Sequence, residues 1–258
     1  MKKAAVDINC DLGESYGPYK LGQDEELLEL VSSANVACGF HAGDPHVMRK
    51  TVSLAKARGV RVGAHPGLPD RVGFGRRTMG VTPSELKDLF TYQIGALKAF
   101  VEAAGMKLQH VLQHGILTKM AEEDESLGRA ILESIQEVDP GLLYVTLEGT
   151  YLPGLAKKMG IQIVRTAFAD RAYDRKKRLV SRKTPGSVLH DAKQIEERIV
   201  QLITTETITT VEGETVPLEF DSIMLHGDSP GALGIALTVS NTLKRLGVEV
   251  KPMSELVR

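Results

Sequence analysis

Residues 35–45 read Asn-Val-Ala-Cys-Gly-Phe-His-Ala-Gly-Asp-Pro, and this order decides what kind of fold the chain can build. Val36, Ala37 and Cys38 form a short apolar run of the kind that ends a buried strand. Gly39, His41, Gly43 and Asp44 follow at once, and Pro45 opens a long helical pattern. Glycine lets the backbone turn tightly, and proline suits the first turn of a helix. An imidazole and a carboxylate therefore stand three residues apart at the mouth of a strand-to-helix turn. Such turns are where α/β proteins keep their chemistry.

Outward from that stretch the arrangement recurs. Towards the N-terminus, residues 4–10 read as a strand ending at Asn9, Asp11 and Glu14, and residues 24–33 as a helix. Beyond Pro45, a helix is expected to about Arg58, then a strand over 60–64 ending in Gly63-Ala64-His65-Pro66. A loop rich in glycine and arginine covers 70–80. Thr82-Pro83-Ser84-Glu85 combines an N-cap, a proline at N1 and an acid at N3, predicting a helix to Ala104 closed by Gly105. Residues 109–113 read as a strand ending at His114, followed by a helix over 123–138. Residues 142–147 end at Glu148, a shorter helix covers 151–159, and 161–168 end at Asp170 and Arg171. A basic loop over 173–187 precedes a helix over 190–203 and a polar excursion or small hairpin over 204–217. Residues 222–225 end at His226-Gly227-Asp228, Pro230 starts another helix, and 247–250 form the last strand.

Alternating β and α runs imply a parallel sheet with helical crossovers. An open sheet gathers its ligand at one switch point, whereas here polar groups follow most strands, as a barrel mouth requires. The length of 258 residues suits one (β/α) barrel, and no linker or composition shift divides it. The expected fold is α/β, a single-domain TIM-like barrel of about eight strands over residues 1–258, distorted or short of one strand.

Composition excludes several partners. A formal net charge of -1 gives no reason to expect nucleic acid or an anionic membrane. No apolar run approaches the roughly 18 residues that span a bilayer, and Asp7 interrupts the N-terminal apolar run too early for a signal peptide. Two cysteines, Cys10 and Cys38, argue against a disulfide framework and for a reducing, cytoplasmic setting. Both read as small buried hydrophobes.

The strand-end residues are Asp7, Asn9, Asp11, Glu14, His41, Asp44, His65, His114, Glu148, Asp170, Arg171, His226 and Asp228. Converging imidazoles and carboxylates suit two jobs: binding a borderline divalent metal, or general acid/base work with an arginine beside a developing anion. There is no nucleophile elbow, His-Glu-x-x-His or P-loop pattern. His110 and His190 read as structural and His46 as surface. In the basic loop only Arg171, tied to Asp170, reads as a site residue. Arg76 and Arg77 suit either an anion grip or a structural ion pair.

Taken together, Asp7-Ile-Asn-Cys-Asp-Leu-Gly-Glu14, Ala37-Cys-Gly-Phe-His-Ala-Gly-Asp44, Gly63-Ala-His-Pro66 with Pro69-Asp70, Phe74-Gly-Arg76, Tyr92-Gln-Ile-Gly-Ala-Leu97, Phe168-Ala-Asp-Arg171 with Tyr173, and His226-Gly-Asp228 resemble the LamB/YcsF family. The resemblance implies a distorted barrel of the glycoside hydrolase/deacetylase type. It also implies ATP-dependent opening of the lactam of 5-oxoproline to L-glutamate, with ATP and magnesium as co-substrate and with 5-oxoprolinase B and C subunits as partners. The carried-over roles are catalytic for Asp11, Glu14, His41, His65 and Asp170. Substrate binding falls to Asn9, Asp44, Arg76, His114, Arg171, His226 and Asp228. Two other readings fit the same residues: a metal-dependent amidase or deacetylase acting alone, with Asp11, His41, His65 and His226 as ligands, or a non-catalytic binder of small carboxylates. A homo-oligomer is compatible with each. The chain departs from the family's pattern at Leu112 and Thr166, where the resemblance leads one to expect a lysine and a glutamate; loss of both is what removal of an ion pair as a unit would produce.

Overall fold

The structure is a computed structural model and describes residues 3–229 and 231–257. In chain order the elements are β1 (Ala5–Leu12), α1 (Asp24–Leu27), β2 (Ser33–Ala37), α2 (Pro45–Ala57), β3 (Arg61–His65), α3 (Pro83–Ala103), β4 (His110–Val111), α4 (Ile116–Glu123) and α5 (Glu125–Val138). There follow β5 (Leu143–Thr146), α6 (Leu152–Lys158), β6 (Ile163–Phe168), α7 (Ala192–Thr205), β7 (Thr207–Thr209), β8 (Thr215–Pro217), β9 (Ser222–Leu225), α8 (Ala232–Arg245) and β10 (Glu249–Val250). Seven parallel strands close a barrel in the order β1-β2-β3-β4-β5-β6-β9, with β9 pairing both β6 and β1. Among the described residues no eighth strand joins the barrel; the β6–β9 connection is spent on a loop, α7 and the antiparallel β7–β8 hairpin. β10 pairs with Ala5 and Val6 at the start of β1. Among the described residues no helix is long and apolar enough to cross a membrane.

Local chemistry explains the boundaries. α3 carries the expected capping box, with Thr82 and Glu85 each bonding the other's backbone N–H, a feature worth about 1 kcal/mol. The helix expected over 24–33 stops at Leu27, because Ser32 and Ser33 turn their hydroxyls to Asp7 and Ser33 enters β2. The strand expected over 109–113 shrinks to His110–Val111. An additional helix, α4, starts directly after Gly115 and buries Leu117 and Ala121. Pro230, read as a helix start, lies outside the described residues; α8 is described from Ala232.

The barrel interior is polar on one side and apolar on the other. Along β1, Asp7, Asn9 and Asp11 share one face by strand alternation. Asp7 accepts from Ser32, Ser33 and Ser222. Asn9 donates to Ser222 and Thr166 at 2.6 and 3.3 Å and accepts from Asn35 at 2.7 Å. Asn35 also donates to Asp11 at 3.0 Å, and its oxygen lies 2.7 Å from His110 Nε2. Register carries the inner face on from His110 to Leu143, then from Val145 to Val164, where it is apolar. Gly63 makes room for His110; a Cβ there would collide with its ring.

Asp7 sits on the barrel floor beneath the turn that begins at Met253, whose backbone N–H bonds it. Burial raises its carboxyl from 3.8 to about 6 despite four donors. Between those values the folded chain keeps a proton that the unfolded chain releases. This contribution to stability is therefore complete below pH 4 and lost as pH rises to 6. Two pKa units correspond to about 3 kcal/mol. Denaturant unfolding should show the stability difference between wild type and Asp7→Asn shrinking by about 2 kcal/mol from pH 4 to pH 6.5. Parallel stability curves would contradict this account.

Candidate functional site

Four strand ends bring Glu14, His41, His65 and His114 together at the barrel mouth. All four are buried, and one potential ligand atom from each lies within 4.8 Å of the others. Glu14 follows β1, His41 lies in the β2–α2 turn, His65 ends β3, and His114 lies between β4 and α4. Two of the imidazoles are tied to carbonyls, which can only accept. His65 Nδ1 donates to the Leu112 carbonyl at 2.7 Å, and His114 Nε2 donates to that of Phe74 at 2.8 Å. The remaining nitrogens, His65 Nε2 and His114 Nδ1, face each other at 3.0 Å. His41 lies flat against His114, with centroids 3.7 Å apart and planes 1° apart. Its Nε2 is 3.6 Å from Glu14 Oε1. Asp11 stands beside the group, 3.4 Å from His65 Nε2.

Electrostatics follow from this crowding. Burial, then the charges of Asp11 and Asp228, push the Glu14 carboxyl well above the usual range. Burial and neighbouring imidazoles hold His41 and His114 well below the ordinary imidazole value. The Phe74 carbonyl that anchors His114 comes from a strained backbone: Phe74 has φ 53, which side chains rarely adopt. The loop holds it there through Gly75 N–H to the Asp70 carbonyl and Gly73 N–H to the Asp70 carboxylate, both at 2.9 Å. Arg77 closes on Asp70, holding that carboxyl at about 2. Arg77 is therefore a structural ion pair, whereas Arg76 reaches across the mouth to Asp228 at 2.6 Å.

A second group faces the first. His226 Nδ1 lies 2.8 and 3.0 Å from the two carboxylate oxygens of Asp170, leaving Nε2 as its working nitrogen. Burial opposes charge on Asp170, but the charge and hydrogen bond of His226 outweigh it and draw its pKa down. Gly227 packs on the Asp11 carbonyl, where a Cβ would collide, so β1 and β9 stay in close contact.

The structure redistributes several expected roles. Of the residues expected as metal ligands, His41 and His65 gather with Glu14 and His114, Asp11 lies 3.4 Å from His65 Nε2, and His226 stands apart with its Nδ1 on Asp170. Asn9, expected to bind substrate, spends its amide inside the barrel. Asp44 caps α2 by accepting from Val47 N–H and also holds Gly17 N–H. Arg171 donates to the carbonyls of Ser187 and Val180 at 3.3 and 2.6 Å and so clamps the basic loop. Arg182, read as a solvated loop cation, is exposed, and the charges of Arg76, Asp228, Asp170 and Asp11 act on it. Leu112 and Thr166 both fall on the inner face, with β5 between their strands. Leu112 contributes its carbonyl to His65, and Thr166 accepts from Asn9.

The model of the LamB/YcsF family matches residues 6–258. The A subunit of 5-oxoprolinase from Thermococcus onnurineus is 49% identical over 253 residues, covering 98% of this chain and 99% of that protein. The crystal structure of the lactam utilization protein from Thermus thermophilus superposes with a TM-score of 0.91 at 44% identity, covering 96% of this chain and 99% of that one. A β-1,4-mannanase structure shares the fold alone, at a TM-score of 0.54 and 11% identity over 94% of this chain and 99% of that one.

Arg171 is buried, and burial with Arg182 nearby lowers its pKa to about 10. Replacing it by methionine should remove two charge-assisted bonds, at about 2–3 kcal/mol. The loop over 173–187 should then be cut by trypsin at least ten times faster. An unchanged cleavage rate would mean that the guanidinium does not hold the loop.

Proposed function

The chain belongs to the LamB/YcsF family, and from that premise we propose that it is the A subunit of an ATP-dependent 5-oxoprolinase. The observation that carries this reading is the near full-length match to the A subunit of a 5-oxoprolinase, 49% identical over 98% of the chain. The relative's designation as one subunit implies others, which we assign as the B and C subunits. ATP with magnesium is the co-substrate of that assembly. The free, buried Cys10 and Cys38 suit a reducing cytosol.

The chemistry asks for what this mouth offers. A lactam carbonyl is a poor electrophile, and its nitrogen is a poor leaving group. Transfer of the γ-phosphoryl group of ATP to the lactam oxygen makes the carbon electrophilic. Water adds, the C–N bond breaks with a proton delivered to nitrogen, and a second water releases phosphate from the resulting acyl phosphate. The cluster of Glu14, His41, His65 and His114 activates the water, with Asp11 placed to take its proton. His226, oriented by Asp170, protonates the departing nitrogen; Asp170 is thus a positioning residue. Arg76, held by Asp228, and Arg182 receive the substrate carboxylate or the transferred phosphoryl group.

Glutamate release from 5-oxoproline, ATP and magnesium should appear when the chain is mixed with the B and C subunits, and be absent without them. His226→Asn and His41→Ala should each lower kcat in the mixture by about 10²–10⁴. Release by the chain alone without ATP would point instead to an amidase acting by itself. Full activity in both variants would remove the assigned roles.

A further inference from the structure

We propose that Glu14, His41, His65 and His114 bind one borderline divalent metal ion, with zinc the best match to the donors. The site follows from the donor geometry and does not depend on the lactam reading. In neutral rings, the carbonyl bonds of His65 and His114 place both ring protons on the outer nitrogens. The inner nitrogens then meet lone pair to lone pair at 3.0 Å, a repulsive contact unless a cation joins them. Both nitrogens of His41 and Oε1 of Glu14 are buried without a hydrogen-bond partner among the described residues. Unpaired buried polar atoms cost about 1–3 kcal/mol each. A proton shared between His65 and His114 would relieve that pair alone. A metal ion at the centre takes one donor atom from each of the four groups and leaves the second His41 nitrogen to carry the ring proton.

The surroundings match a metal centre. Ligating imidazoles are held by their second nitrogen on a carbonyl or carboxylate, which sets the tautomer. The Leu112 and Phe74 carbonyls hold His65 and His114 in this way, the latter through the strained φ at Phe74. Three imidazoles and one carboxylate favour zinc and its transition-metal neighbours over calcium or magnesium. Neither cysteine is among the four groups that gather there. The ligand atoms now spread over 4.8 Å, against about 3.3 Å in a closed tetrahedral shell. His41 is the ring that closes this gap, because neither of its nitrogens is anchored among the described residues. It rests on Gly67, where a Cβ would collide with the imidazole.

The test uses the untagged full chain, stripped with a chelator and titrated with zinc or cobalt(II). One equivalent of metal per chain should be retained. The thermal midpoint should rise with zinc, and cobalt should give the intense visible absorption of a four-coordinate site. Glu14→Gln, His114→Gln and Gly67→Ala should each weaken zinc binding at least tenfold. Circular dichroism of the metal-free variants identifies any that fail to fold. Gly67→Ala keeps every ligand, so its loss of affinity reads the position of His41 directly. His46→Gln, exposed on α2, should bind as the wild type does. Retention of less than a tenth of an equivalent with no thermal shift would overturn the proposal. So would wild-type affinity in the folded cluster variants, or an equal loss in His46→Gln, which marks surface binding.

Discussion

The buried polar ladder on the inner face of β1 is the constraint on which the rest of the structure depends. Asp7, Asn9 and Asp11 are almost wholly shielded from water, and each would be strongly destabilising without partners. Their partners come from β2, β6 and β9, and from the turn at Met253. A one-residue slip of any of these strands would turn its partner away and leave a buried polar group unpaired. The ladder thereby sets register, while Leu143 and Val145 of β5 and Val164 of β6 line the apolar part of the interior.

The same ladder delivers the site. Asn35 passes the network from Asn9 to Asp11, Asp11 stands against His65, and His65 meets His114. The chain of contacts ends at the Phe74 carbonyl, in a loop braced by Asp70 and Arg77. Rigid strands thus fix the imidazoles before any ligand arrives, as a catalytic or metal-binding centre requires. His41 is the exception, packed by shape alone against His114 and Gly67. Across the mouth, the Asp170–His226 pair and the Arg76–Asp228 pair are held together without drawing on the ladder.

The departures at Leu112 and Thr166 make sense against this background. His65 uses the main-chain carbonyl of residue 112, which any side chain there supplies. The Thr166 hydroxyl meets the Asn9 amide within the ladder, so the position stays polar and needs no countercharge on β4. An interior that lacks both charges avoids the cost of burying either one alone.

The alternation of short apolar runs with helical patterns, read outward from residues 35–45, determined the barrel, its single domain and which residues stand at strand ends. His41, His65 and His114 were legible as mouth residues because each follows a strand directly in sequence. The capping box at Thr82 was legible too, and the β7–β8 hairpin was one of two readings open over 204–217, since turn and cap chemistry is local. Only tertiary structure decided the partners. Closure on β9 sent His226 to Asp170, and the turn after β1 brought Glu14 against His41. Arg171 became a clamp for the loop that carries Arg182. Spacing along a chain shows which end of a strand a residue occupies; which groups meet depends on strand order, register and the demand that every buried polar atom find a partner.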